Sequence, residues 1–134
     1  MSEENVELVR RYLARINERD FDAALAGVAV GAELDWSASE GPNSGVYHGP
    51  EEWRKWWTGW LEAFTDVRVD VTEVIDVPPD TVVAVGPTRM RGRTSGVEVA
   101  VFGAVVWTLR DGQVTAPTMY QSRDDALKAV GLSE

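Results

Sequence analysis

The sequence predicts a single α+β domain on three observations: apolar residues at helical spacing in the first half, long alternating segments in the second, and turn signals rather than linkers between them. At 134 residues there is room for one hydrophobic core, because a chain of this size buries roughly two-thirds of its unfolded surface. Hydrophobic residues at 44% and charged residues at 26% match a globular protein and not a disordered or fibrous one. The expected domain spans 1–134 without repeat or low-complexity tract.

Val6, Val9, Leu13 and Ile16, with Leu8 and Tyr12 beside them, predict an amphipathic helix over about 3–18, with Ser2 as its N-cap. Asp20 then caps a second, shorter helix carrying Phe21, Leu25 and Val28, which Gly31 stops. Glu33 to Ser37 alternates polar and apolar, the pattern of a strand that turns Leu34 and Trp36 inward and Asp35 outward. Ser39 to Gly49, rich in Gly, Ser, Pro and Asn, reads as a loop. Pro50 at the first helical position, followed by Glu51 and Glu52, starts a firm helix where the dipole favours acids. That helix carries Trp53, Trp56, Trp57, Trp60, Leu61 and Phe64 on one broad face.

From Asp66 the period changes to two, and a phase slip at Glu73-Val74-Ile75 predicts a bulge. Strands at about 81–91, 97–110 and 113–121, joined at Thr94-Ser95-Gly96 and Asp111-Gly112, form an expected antiparallel meander. Pro87 places a bulge or an edge within the first of them. Ser122 caps a short closing helix through Val130, ended by Gly131.

A net charge of -9 argues against nucleic acid, since phosphate binding needs a basic face, and the cluster Arg89, Arg91 and Arg93 is too short to supply one. Without cysteine there is no disulfide, thiolate nucleophile or thiolate metal site, which fits a reducing compartment. The amino terminus is acidic where a signal peptide is basic, and no apolar run approaches the roughly 20 residues that span a bilayer. The expectation is a cytoplasmic protein with no membrane contact.

The element order resembles the nuclear-transport-factor-2-like superfamily, in particular its SnoaL-like branch. The resemblance rests on Glu3 to Tyr12, Asn17 to Asp22, Val46-Tyr47-His48-Gly49, Val106 to Gly112 and the tail Ala126 to Leu132. It implies a cone in which a curved antiparallel sheet wraps the long N-terminal and central helices and leaves a cavity at the wide end. It also implies a homodimer paired through the convex sheet face. Ketosteroid isomerases of this fold keep a carboxylate base where this chain has Trp36, and a protonated carboxylic acid where it has Val105. The last-strand aspartate of the epoxide hydrolases aligns with Met119. One functional position is kept: Tyr12 aligns with the phenol that donates a hydrogen bond to the developing oxyanion. A buried tyrosine satisfied by a neighbouring group is the plainer reading of the same residue.

Six tryptophans exceed what a core of this size needs, so Trp36, Trp57 and Trp60 are expected to face a cavity. If Val105 and Met119 face it too, alternation adds Val101, Gly103 and Trp107, with Gln121 as the polar group on that wall. The opposite side, with Phe102, Ala104, Val106, Ala116, Thr118 and Tyr120, is apolar enough to predict the dimer interface.

His48 and Glu40 are the candidate proton carriers, although a lone histidine without a placed carboxylate is more often a surface or capping residue. Arg89, if near the cavity, could bind a carboxylate. No ligand spacing for a metal is present, and no cofactor is expected. Three functions fit: a receptor for a small apolar or aromatic molecule; a cofactor-free isomerase, cyclase or hydrolase using Tyr12 with Glu40 or His48; and a dimeric scaffold with a filled core.

Overall fold

The computed structural model describes residues 2–39 and 44–132. Four helices and eight strands follow in the order α1 (Ser2–Asn17), α2 (Phe21–Ala26), β1 (Glu33–Asp35), β2 (Val46–His48), α3 (Gly49–Ala63), β3 (Phe64–Val69), β4 (Glu73–Val77), β5 (Thr81–Gly92), β6 (Glu98–Arg110), β7 (Gln113–Val114), β8 (Thr118–Tyr120) and α4 (Arg123–Ala129). The strands make one strongly curled sheet in the order β2-β1-β8-β6-β5-β3, with β4 also on β5 and β7 also on β6. The sheet is mixed, because β1 runs parallel to β8 at Asp35 and Thr118, where the sequence predicts antiparallel pairing throughout. Among the described residues no helix is long and apolar enough to cross a membrane.

Helix α1 buries Val9, Tyr12, Leu13 and Ile16 against the concave side of the sheet. Its C-terminal end is tied down by Asn17, whose amide donates to the Val69 carbonyl at 3.0 Å and accepts from the Val69 N–H at 2.9 Å. Asp20 caps α2 through the Ala23 N–H at 3.2 Å. The helix stops at Ala26, well before Gly31, because the next residues bond to β7: Ala29 N–H to the Val114 carbonyl and Val114 N–H to the Gly27 carbonyl. A long-range pairing here overrides a local helical pattern.

Residues Val46–His48, predicted as loop, form a strand with Leu34 opposite Tyr47. Three residues among Gly, Ser and Asn give too short an alternation to read from composition. Helix α3 follows at once, and the Glu52 carboxylate accepts from the N–H of the N-cap His48 at 2.8 Å, which pins the first turn.

The predicted bulge lies between β3 and β4. Val69 pairs with Thr88 and Glu73 with Val85, so three residues, 70–72, face Gly86 and Pro87. The Asp70 and Thr72 N–H groups reach the Pro87 and Val85 carbonyls, and the N–H that Pro87 lacks falls where the ladder is already interrupted. Gly86 is required there: a Cβ would stand 2.4 Å from the Asp70 carbonyl oxygen and 2.8 Å from the Val71 Cα.

On β5 the even-numbered Val82, Ala84 and Met90 join the concave core, whereas Val83 and Val85 belong to a second cluster on the convex side with Ala104, Val106 and Ala126. Helix α4 therefore covers part of the face expected to pair with a second copy, and Ala104 is fully buried within one chain. Phe102 stays 61% exposed beyond its reach.

Candidate functional site

The concave core is not filled. A cavity of ≈ 90 Å³ remains between α1, α3 and the sheet, bordered among others by Tyr12, Trp36, Trp53, Trp56, Trp57, Trp60, Val101, Gly103, Val105, Trp107 and Met119. All six indoles of the chain therefore border one space. Helical steps of three and four give a stripe wide enough for Trp53, Trp56, Trp57 and Trp60 to reach it together. Rings meet edge-on around it, with centroids 4.9 Å apart for Trp36 and Trp56 and again for Trp56 and Trp57. Such edge-to-face contacts are the favoured geometry of aromatic pairs. Val101, at 40% exposure, marks the mouth.

Tyr12 sits at the closed end. Its hydroxyl oxygen accepts from the Trp57 indole N–H at 3.1 Å, and its ring lies 5.2 Å from that of Trp107. Burial pushes the phenol well above its ordinary pKa, and the Trp57 hydrogen bond offsets this only in part, so the hydroxyl keeps its proton throughout the neutral range. Among the described residues no acceptor receives that proton. Among the described residues three further donors are buried without an acceptor: the indole N–H groups of Trp53, Trp60 and Trp107. No charged residue borders the cavity among the described residues. The described wall is thus neutral, apolar and rich in donors, and none of its residues is placed to abstract a proton.

The remaining predicted positions lie elsewhere. Gln121 is exposed, because β8 ends at Tyr120 and the alternation that would aim it inward ends with it; its amide donates to the Ala38 carbonyl at 2.6 Å. His48 is also outside the cavity, with a 64% exposed side chain 3.5 Å from Glu33. Glu40 lies outside the described residues. Arg89 and Arg91 point to the convex side and pair with Asp70 at 3.4 Å and with Asp66 at 3.6 Å, so Arg89 is no carboxylate clamp for this site. Thr88, Ala84 and Val69 border the cavity without having been singled out from sequence. Pro87 hides the phase of β5, and the pairing of Thr88 with Val101 is what reveals it.

A curled sheet closed by helices around an apolar cavity defines the class of cone-shaped α+β pocket domains. Within it, the sequence profile of the SnoaL-like domain matches residues 9–116, and the chain belongs to that family. No curated protein matches it. Among solved structures it is similar to TerC co-crystallised with polyporic acid, at 19% identity over 95% of this chain and 98% of that one, with a TM-score of 0.77. A protein of ketosteroid isomerase-like fold from Catenulispora acidiphila, in complex with trimethylamine, is 19% identical over 94% of this chain and 93% of that one, with a TM-score of 0.75. A proposed polyketide cyclase from Xanthomonas campestris is 20% identical over 97% and 98%, with a TM-score of 0.73. At these identities the likeness is one of fold.

Proposed function

We propose that the protein is a small-molecule receptor that seats the compact apolar end of its ligand against Trp36, Trp57 and Trp60 and offers the Tyr12 hydroxyl as a polar contact. The observation that carries this reading is the Tyr12 hydroxyl itself: it borders the cavity, already accepts from Trp57 and retains a proton to donate. A donor polarised by a second donor is strengthened in a medium of low dielectric.

Size constrains the ligand. A cavity of about 150 Å³ takes one benzene ring, so ≈ 90 Å³ admits a fragment of roughly four heavy atoms, with any larger part held at the mouth beside Val101. Two fold neighbours were crystallised with small molecules, polyporic acid and trimethylamine, which supports a pocket-based role without naming the occupant here. The lack of a proton acceptor on the described wall favours reception over the isomerase, cyclase or hydrolase alternative, in which His48 would have to act from outside the cavity.

Tryptophan fluorescence and melting temperature, followed against steroids, terpenoids and aromatic polyketides, test the reading. Binding is expected to change the emission and raise the melting temperature, and a panel that moves neither quantity counts against it. A homodimer formed through the uncovered part of the convex face around Phe102, in the cytoplasm, completes the proposal; the exposure of Phe102 and the acidic, cysteine-free composition are its support.

A further inference from the structure

The indole N–H groups of Trp53, Trp60 and Trp107 lie buried with no acceptor among the described residues, and all three rings border the same cavity. Trp53 and Trp107 are 1% and 5% exposed, so bulk water does not stand in for a partner. Buried donors are ordinarily paired, and a group left unpaired bears the full cost of losing water. Three such groups around one space, beside a fourth donor on Tyr12, form a pattern that an apolar core does not need: Leu or Phe would fill the same volume without that cost.

From this we infer that the compact, otherwise apolar end of the ligand that enters the cavity carries a hydrogen-bond acceptor oxygen, and that the indoles of Trp53, Trp60 and Trp107 are its donors. The inference rests on the receptor reading above and adds the ligand's chemical class. It also excludes a class. An ammonium ion would meet indole faces, which attract cations, but it brings donors to a wall already rich in donors and without a charged partner among the described residues.

Transfer energetics provide a test in which the sign of the result decides. Isobutene and acetone share a planar skeleton of about four heavy atoms, the size the cavity admits, and the ketone is the better hydrated of the two. A cavity that offers no hydrogen bond therefore prefers the hydrocarbon, because an unpaired carbonyl is costly to bury. A cavity with waiting donors prefers the ketone. The protein, labelled with ¹⁵N, is titrated with each molecule and with trimethylamine as its cation. The six indole N–H signals are the readout, assigned from the single variants W53F, W60F and W107F.

The expected result is acetone bound about ten-fold more tightly than isobutene, the equivalent of one buried donor satisfied. A downfield shift of at least one of the Trp53, Trp60 and Trp107 signals, with acetone only, accompanies it. Isobutene bound as well as the ketone, or the trimethylammonium ion bound best, overturns the inference while leaving an apolar receptor standing. Ketone binding that leaves all three signals unmoved overturns it too. If none of the three molecules binds, both the inference and the receptor reading fail.

Discussion

The Trp57 indole N–H and the Tyr12 hydroxyl, 45 positions apart in sequence, meet at 3.1 Å across the gap between α3 and α1. The contact joins the two long helices and fixes the direction of donation: Trp57 gives to Tyr12, and the proton of Tyr12 is left for something else. Replacing Tyr12 by Phe removes both functions. Y12F leaves the Trp57 N–H buried and unpaired, an expected loss of about 1–3 kcal/mol in unfolding free energy by urea titration. The double variant Y12F/W57F is expected to lose less than the sum of the single variants, since neither orphan remains.

Alkaline titration gives a second view of the same phenol. A phenol whose folded pKa lies above its unfolded value stabilises the fold fully below the unfolded pKa, and that contribution fades as pH rises through the folded one. Tyr12 is therefore expected to ionise only as the protein unfolds in base. Tyrosinate absorbance should show one phenol titrating together with the loss of helical circular dichroism, and that component should be missing in Y12F.

Gly86 faces the β3–β4 bulge with no space for a side chain. G86A drives a methyl into backbone of residues 70–72, which cannot rotate away as a side-chain tip would. A loss of about 2–4 kcal/mol is expected, measured by thermal or urea unfolding. Gly112, in the β6–β7 turn with φ 76°, has open space where a Cβ would stand, with no neighbour within 4 Å, so its alanine variant tests backbone strain alone and should cost less.

Helix α4 is clipped to β4 by Arg123, which donates to both oxygens of Glu73 at 2.8 and 3.1 Å. The Arg123 hydrogen bonds hold the Glu73 carboxyl below its ordinary pKa. A depressed carboxylate stabilises the fold above its unfolded pKa and loses that contribution as pH falls through the folded value. E73Q should therefore narrow the stability difference between neutral and acidic pH. The effect is small because both side chains are 41% exposed.

Phe102 is the test position for assembly. If the uncovered part of the convex face pairs with a second copy, F102D should shift sedimentation from dimer to monomer with the melting curve of the dilute protein little changed. Wild-type protein that sediments as a monomer at high concentration removes the homodimer from the account.

How far the sequence could be read depended on whether local pattern or long-range pairing decided each element. The Trp face of α3 and the cap at Asp20 are local, and each stands where its pattern placed it; the slip read at Glu73-Val74-Ile75 falls just before those residues, at 70–72. The strand Val46–His48 and the early end of α2 were illegible because β1 and β7, distant in sequence, set them. The same distinction holds at the cavity. Alternation along β6 gave Val101, Gly103 and Val105, whereas alternation carried past the end of β8 gave Gln121 wrongly. The unpaired indole donors were invisible in sequence, since a tryptophan's letter carries no word of where its N–H points.

The central claim is that the space among the six indoles receives a ligand, and the most direct measurement is titration of the protein with compact carbonyl compounds while the indole N–H spectrum and the melting temperature are followed together. A saturable shift of cavity indole signals is expected with a matching rise in melting temperature, both lost or weakened in Y12F. Indole signals and melting temperature unchanged at saturating ligand would contradict the claim and leave the six rings as a core with a void.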